Sequence, residues 1–413
     1  MRKLGLLALV LGLVVAFAMP VSAITIDGGK GETVYIGGTW LLDFGAFNRS
    51  KERMGSTNGS AERTQLVLGI PPTALFKTLV TAGQSKGYME FGFGSSYAND
   101  SVGTQVATNN VGGNNLNYVE IRKFYGSYTV GNCELRVGKD SDWLYSGIVP
   151  AQSFGLGATG IINGFGFGSF YDGRLNQVAF LQTVNKQFNY RLSLVSPREI
   201  VASSTSNGLL GANETVGRAP FSQLPTLAAK AQLNFGMLNL YPAVAYSQTK
   251  WDGLNNAAGT NGWDDSVTSW FGALPAKFTA GPFTATGSVA AGLNIGNMMT
   301  NTNAFQVYQR LSTGKIKNTS AIMGFIDVAY TFGAFTPHFY YGYDKAENSD
   351  AWTSNESSNT RQMYGVTLEW VISPNFIVKP QFTVFDYGKK VATASSPEIG
   401  KDWIGGVQFM FNF

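Results

Sequence analysis

The chain has 413 residues, of which 14% are charged and 13% are aromatic, and it contains 50 glycines. A globular domain carries about 25% charged residues and about 7% glycine. After the first twenty residues no apolar run approaches the roughly 18–20 residues that a membrane-spanning helix needs, which excludes a polytopic helical membrane protein. The formal net charge of +4 is too small to indicate a nucleic acid or an acidic substrate as partner. Apolar and polar residues interleave finely instead, which predicts an all-β protein.

The N-terminal segment predicts export. Arg2 and Lys3 precede an apolar stretch over residues 4–19, and Val21-Ser22-Ala23 ends in a small-x-small pattern. This arrangement is typical of a signal peptide cleaved after Ala23. The alternative is an uncleaved anchor, for which the stretch is short. We predict a signal peptide over 1–23 and a single domain over 24–413.

A two-residue alternation of apolar and polar side chains runs through the rest of the chain and predicts strands. The segment 71–85, which begins at Pro71-Pro72, fits this pattern badly, and the facing of 173–184 and of 265–278 is ambiguous. The pattern predicts sixteen strands, at 32–45, 62–70, 86–96, 116–130, 133–143, 173–184, 187–197, 226–235, 238–250, 265–278, 282–296, 319–332, 335–344, 360–372, 376–388 and 402–413.

The connections between these strands alternate in length. Tight turns are predicted at 131–132, 185–186, 236–237, 333–334 and 373–375, and long polar loops at 46–61, 97–115, 144–172, 198–225, 251–264, 297–318, 345–359 and 389–401. A soluble sandwich would give the same alternation within its strands. Short turns on one rim and long loops on the other are typical of a transmembrane antiparallel β-barrel. About 16 strands make such a barrel wide enough for an aqueous channel.

The C-terminus adds a more specific pattern, because Phe409, Phe411 and Phe413 end the chain at a spacing of two. With the export signal, the alternating connections, the strand pair around 131–132 and the long loop 144–172, the chain resembles a Gram-negative outer-membrane porin of the sixteen-stranded class. The resemblance implies an outer-membrane location, contact with lipid, and a homotrimer that passes small hydrophilic solutes. It also implies that the three phenylalanines are a signal to the barrel assembly machinery.

The same resemblance implies that loop 144–172 folds into the channel and constricts it. This loop is uncharged until Asp172 and is rich in glycine. We therefore do not expect the strong transverse field that an acidic constriction loop would create. The alternative is that the loop covers a subunit contact.

Charged residues on strands predict the wall of the channel. A Lys or Arg that faces lipid near the midplane costs about 2–4 kcal/mol, so the polar face is expected to point to water. Lys123 and Lys139 fall on the opposite face, and each requires a bulge or a position at the rim. The predicted pore-lining residues are Arg63, Glu90, Glu120, Arg122, Glu134, Arg136, Asp140, Arg191, Lys230, Arg361, Glu369 and Lys379.

Several of these basic residues, with Arg174, predict a weak preference for anions. No catalytic site is predicted, because His338 is the only histidine and no nucleophile, phosphate-loop or zinc motif accompanies it. The lone Cys133 forms no disulfide, metal or haem motif, so no cofactor is expected. Two alternatives to a channel remain: an adhesive or structural barrel that acts through its outer loops, and a barrel that sheathes a partner such as a cytochrome.

Overall fold

The computed structural model describes residues 23–29, 31–50, 63–70, 74–94, 118–152, 166–197, 214–215, 224–256, 263–298, 318–347, 358–388 and 400–413. The predicted signal peptide, apart from Ala23, lies outside the described residues, as do most of the predicted long loops. No helix in these ranges is long and apolar enough to cross a membrane. The short 3-10 helix Ile295–Asn297 follows a strand.

Most of the described residues lie in strands. They are β1 (Ile24–Gly29), β2 (Glu32–Arg49), β3 (Arg63–Gly69), β4 (Ala74–Ala82), β5 (Ser85–Gly94), β6 (Tyr118–Val130), β7 (Cys133–Asp140), β8 (Leu175–Thr183), β9 (Phe188–Val195), β10 (Glu214–Thr215), β11 (Thr226–Phe235), β12 (Leu238–Leu240), β13 (Ala243–Asn256), β14 (Trp263–Ala280), β15 (Phe283–Leu293), β16 (Ser320–Tyr330), β17 (Phe335–Glu347), β18 (Ser358–Ser373), β19 (Phe376–Asp386) and β20 (Lys401–Asn412).

Neighbouring strands pair antiparallel around a closed sheet. The first long strand, β2, pairs with the last, β20, from Thr39↔Asn412 to Arg49↔Asp402. β3 and β4 occupy one position beside β2, and β12 and β13 together occupy one position beside β14. The described strands therefore fill sixteen positions of a barrel. The all-β antiparallel barrel predicted from the sequence is confirmed.

The segment that fitted badly contains a strand the sequence analysis missed. β4 lies within 71–85, and the tight turn Gly83–Gln84 joins it to β5. The register to β2 moves by two residues between Asp43↔Gly69 and Thr39↔Leu75. Pro71 and Pro72, just before β4, lie outside the described residues. Because proline cannot donate to a β ladder, this pair of prolines argued against a strand at this point of the sequence.

Other boundaries differ from prediction by smaller amounts. β2 continues to Arg49 and β13 to Asn256, beyond the predicted ends at 45 and 250. β1 and β10 were not predicted; β1 pairs with the first residues of β2, and β10 with the last residues of β13. Tight turns lie at 131–132, 236–237, 281–282 and 374–375, all at one end of the barrel, which we call the turn end. The opposite end is the loop end.

Burial shows which face of each strand is outside. In the strands whose facing was ambiguous, β8 exposes Val178 and Phe180 and buries Ala179, and β14 exposes Trp270 and buries Phe271. Exposed apolar residues alternate in this way around the sheet, while the intervening residues are buried. The outer surface is therefore apolar, as a barrel in lipid requires.

Candidate functional site inside the barrel

The connection between β7 and β8 runs through the interior of the barrel. Its described parts, residues 141–152 and 166–174, are called the inner segment below. Trp143, Leu144 and Phe170 of this segment are almost completely buried. They pack in one cluster with inward residues of β9, β11 and β13–β17, namely Val195, Ala228, Ala243, Ala245, Phe271, Ala290, Ala321, Met323 and Ala346. This side of the interior is filled by apolar side chains.

The inner segment also reaches β17–β20, on the far side of the barrel. The ring of Phe167 lies 5.3 Å from that of Phe385 and 5.1 Å from that of Tyr387. The guanidinium of Arg361 lies 4.9 Å from its centroid. Phe167 has φ of +47°, a left-handed conformation that is unusual for a bulky residue and that packing must hold. A Cβ placed on Gly342 of β17 would lie 1.9 Å from the carbonyl oxygen of Phe167. The segment thus touches the backbone of the far wall.

Hydrogen bonds anchor the inner segment to the far wall and join its two described parts to each other. On the far wall, the N–H of Ala151 donates to Asp327 Oδ2 at 2.6 Å, and Thr367 Oγ1 donates to the carbonyl oxygen of Ala151 at 3.3 Å. The other Asp327 oxygen, Oδ1, lies 2.9 Å from His338 Nδ1. The only histidine of the chain therefore supports an anchor of the inner segment.

Asp172 joins the two described parts of the inner segment to each other. Its Oδ2 accepts hydrogen bonds from the backbone N–H groups of Leu144, at 2.8 Å, and Tyr145, at 3.0 Å. Burial, together with the nearby charge of Asp142, raises the pKa of Asp172 to about 6. Burial alone would raise the pKa of Asp142 as well, but the positive charges of Lys123 and Lys230 lower it. The two carboxyl groups thus have pKa values shifted in opposite directions.

A cluster of charged side chains faces the interior around Asp140, whose exposed fraction is 1%. Asp140 lies 2.8 Å from Arg136, 3.3 Å from Lys123 and 3.4 Å from Arg191. Arg136 also pairs with Glu134 at 2.9 Å. Here the structure brings together four of the predicted residues, Glu134, Arg136, Asp140 and Arg191.

The remaining charges of this wall form separate contacts. Arg122 pairs with Glu90 at 2.8 Å, and Arg174 pairs with the half-exposed Glu120 at 3.4 Å. The ammonium of Lys230 donates to the carbonyl oxygen of Tyr145 at 2.7 Å. Basic and acidic groups therefore alternate along the wall.

The other predicted residues lie on the far wall or outside the description. Arg361 pairs with Asp344 at 2.6 Å, and Lys379 forms an ion pair with Glu369. These pairs belong to β17–β19. Arg63 begins β3, but its side chain lies outside the described residues.

Lys123 and Lys139, which the sequence places on the apolar face of their strands, have different explanations. In β6, Lys123 pairs with Glu90 while Ile121 pairs with Phe91, so Arg122 is the extra residue of a β-bulge. The bulge turns both Arg122 and Lys123 toward the interior. A bulge was one of the two explanations that the sequence analysis allowed for Lys123. Lys139 has no such bulge. It pairs with the exposed Phe124 and stays on the outer face.

Sequence reasoning missed the apolar part of this interior. Polar inner faces were expected throughout, but the strands covered by the inner segment present alanines, Phe271 and Met323 inward. The alternative that the loop covers a subunit contact is wrong for its described residues, which lie inside the barrel. The available signal was the ambiguous strand 265–278, where both faces are apolar because Trp270 points outward and Phe271 packs on Phe170, with ring centroids 4.8 Å apart.

A cavity of about 680 Å³ lies on the turn-end side of the inner segment. Its lining includes Glu134, Arg136, Asp142, Arg191 and Lys230. Because charged groups are stable only where they are paired or hydrated, this lining is that of a wet space. Among the described residues, no group of His, Cys, Asp and Glu could hold a metal ion.

Neither a family model nor a curated protein matches the chain. Solved structures do match: the outer membrane channel DcaP of Acinetobacter baumannii has a TM-score of 0.64 at 14% identity, over 94% of this chain and 99% of that one. The chain has the fold of the outer-membrane porins. OmpT of Vibrio cholerae, in its trimer form, has a TM-score of 0.55 at 11% identity, over 93% and 100%. The anion-selective porin from Comamonas acidovorans has 0.52 at 11%, over 92% and 100%. At these identities the shared property is the porin fold.

Proposed function

We propose that this chain is an outer-membrane porin that forms a water-filled channel for passive diffusion of small hydrophilic solutes. The observation that carries the proposal is the distribution of charge across the barrel wall. The outer face is apolar, whereas the inner face of β5–β9 carries the Asp140 cluster and its neighbours. Charges are tolerated on an inner face where they are paired or hydrated, whereas toward lipid a Lys or Arg would cost about 2–4 kcal/mol.

Within this proposal, the inner segment narrows the channel and sets the path of the solute. Its residues Trp143, Leu144 and Phe170 fill the side of the interior toward β9–β17. The path then lies between the inner segment and the charged wall of β5–β7. The predicted pore-lining residues Glu90, Arg122, Glu134, Arg136 and Asp140 are on that wall. An interior partly filled by the chain's own side chains also favours a channel over a sheath around a partner protein.

The ion preference we propose is weak and anionic. Most basic groups of the interior are balanced by a carboxylate in an ion pair. Lys230 differs, because within the described residues it makes no ion pair and donates to a backbone carbonyl. Although the charges of Asp142 and Asp172 act on it, the ammonium of Lys230 has no directly paired carboxylate beside the cavity, which favours anions. In a salt gradient, the sign of the reversal potential tests this, and replacement of Lys230 by Gln should move it toward zero.

The proposal extends to export and assembly. A signal peptide over 1–23 would deliver the chain for insertion into the outer membrane, and the C-terminal phenylalanines would be read by the barrel assembly machinery. In the folded chain Phe411 stacks on Phe376, with centroids 4.6 Å apart, and the N–H of Gly38 donates to the carbonyl oxygen of Phe413 at 2.7 Å. A homotrimer is supported by OmpT, a protein of the same fold with a trimer form.

Liposome swelling tests the proposed function. Vesicles that contain the refolded mature protein should swell in isotonic solutions of small sugars, at rates that fall as the sugar grows. Vesicles with the heat-unfolded protein are the control. A correctly folded barrel that gives no swelling with the smallest sugar would overturn the proposal.

A further inference from the structure

Two basic side chains lie directly opposite each other in neighbouring strands beside the cavity. Arg191 of β9 pairs with Lys230 of β11, and both line the cavity on the turn-end side of the inner segment. Directly opposite residues have Cβ atoms about 5 Å apart, and like charges in this arrangement destabilise a sheet. The pair therefore concentrates two positive charges at one point of a wet space, against the local preference of the sheet.

The described residues do not use all the hydrogen-bond donors of this pair. The ammonium of Lys230 has three N–H donors, of which the carbonyl oxygen of Tyr145 accepts one. The side chain of Arg191 is 4% exposed, and its Nε and Nη2 contact Ser193, Gln177 and Asp140. Its Nη1 has no hydrogen-bond partner in the described part of the chain. Unused donors of both side chains thus lie beside the cavity.

The nearby carboxylates balance this pair only in part. Asp140, which lies 3.4 Å from Arg191, is closer to Arg136, at 2.8 Å. The charge of Asp142 acts on Lys230, but the two groups form no ion pair. In the described residues, the cavity lining holds four basic side chains and two acidic ones, namely Lys86, Arg136, Arg191 and Lys230 against Glu134 and Asp142. The cavity therefore carries an excess of positive charge that an anion would balance.

A neutral polar pair lies next to these charges. Asn189 and Gln232 are directly opposite each other, two residues nearer the turn end and on the same face. Nδ2 of Asn189 donates to Oε1 of Gln232 at 3.3 Å, which leaves Oδ1 of Asn189 and Nε2 of Gln232 unpaired among the described residues. Two residues of a strand span about 7 Å. The lining thus presents a positive site and, about 7 Å away, an amide site with one acceptor and one donor.

We propose that this cavity binds a small monocarboxylate that also carries hydroxyl groups, such as a sugar acid. Its carboxylate accepts charge-assisted hydrogen bonds from Lys230 and Arg191, which are the stronger kind. Its hydroxyl groups exchange hydrogen bonds with Asn189 and Gln232. The cavity volume of about 680 Å³ is within the range of small-molecule sites. The inference rests on the proposed function, because the solute reaches the cavity through the channel, and it makes the passage of this class of solute saturable.

Isothermal titration calorimetry on the refolded mature protein in detergent tests the site without requiring ion flow. D-glucuronate is the probe, and D-glucose, which has the same ring without the carboxylate, is the control. Glucuronate should bind, whereas glucose at the same concentrations should give no heat of binding. Equal affinities for the two solutes, or no binding of glucuronate, would overturn the inference.

Variants locate the binding within the barrel. Lys230→Gln should weaken the binding of glucuronate about tenfold, since it removes a hydrogen bond from a charged donor, and Lys230→Arg should restore it. Lys277→Gln is the matched control, because Lys277 shares a face of β14 with the buried Phe271 but is outside the cavity lining. Asp142→Asn should strengthen the binding, because it removes a negative charge that acts on Lys230. Equal affinities in folded, heat-modifiable Lys230→Gln and Lys277→Gln would refute the site.

The failure of this inference is distinguishable from the failure of the proposed function. An open channel in a lipid bilayer that binds no glucuronate would refute the site and leave the proposed function standing. A folded barrel that binds glucuronate but passes no current would support the site and refute the channel.

Discussion

The contact between Phe167 and Gly342 gives the sharpest prediction about the inner segment. In Gly342→Ala the new Cβ would lie 1.9 Å from the carbonyl oxygen of Phe167, whereas ordinary contacts begin at 3.4 Å. Gly342 lies within β17 and has no left-handed φ, so the substitution adds no backbone strain of its own. The tip of the inner segment must therefore move by about 1.5 Å, away from the wall and into the channel, to restore the ordinary contact distance.

The displacement has an energetic and a functional consequence. Overpacking of this kind costs about 1–3 kcal/mol, and the rings of Phe167, Phe385 and Tyr387 separate. We expect a lower unfolding temperature and a smaller single-channel conductance, since the segment moves toward the water path. Gly272→Ala is the control, because a Cβ there meets nothing within 4 Å. If both variants match the native protein in conductance and stability, the inner segment does not contact the far wall as described.

Three further predictions concern charge and assembly. The pKa of Asp172 is about 6, above the ordinary 3.8. The protonated carboxyl therefore stabilises the fold fully below about pH 4, and this contribution is lost as pH rises through 6. The part of the pH dependence of the unfolding temperature that is due to Asp172 should be absent in Asp172→Asn. Asp140→Asn leaves Arg191 without its carboxylate partner, while Lys123 keeps Asp142 at 3.5 Å, so the reversal potential in a salt gradient should shift toward anions. Its cost in stability should stay below the roughly 3–5 kcal/mol of a broken buried pair, because Arg136 keeps Glu134. Deletion of Phe413 removes the bond to Gly38, and the yield of heat-modifiable barrel in outer membranes should fall, whereas Phe235→Ala, on an exposed residue before a tight turn, should leave it unchanged.

The barrel could be predicted from the sequence because the features that indicate it lie within short stretches of the chain. A side chain on a strand meets either lipid or the interior, so polarity alternates residue by residue, and turns such as Gly131–Asn132 show where chains reverse. The prediction missed a strand where proline broke this alternation, before β4, and left the facing of a strand open where both of its faces are apolar, as in β14.

The interior could be predicted only in part, because it depends on contacts between residues far apart in the chain. The parity of Arg136, Asp140 and Arg191 indicated a common face, but their meeting around one carboxylate depends on the register of three strands. The anchor of Ala151 on Asp327 joins residues 176 positions apart, and no local pattern signals it. Lys139 is different: the sequence already placed it on the apolar face of its strand, and in the structure it lies on the outer face of the barrel.

Single-channel recording in a planar lipid bilayer tests the central claim most directly. The refolded mature protein should insert and give uniform current steps that scale with salt concentration, as a water-filled channel requires. Insertion of a heat-modifiable, correctly folded barrel without any conductance would contradict the account, because the charged wall around Asp140 would then face no open path.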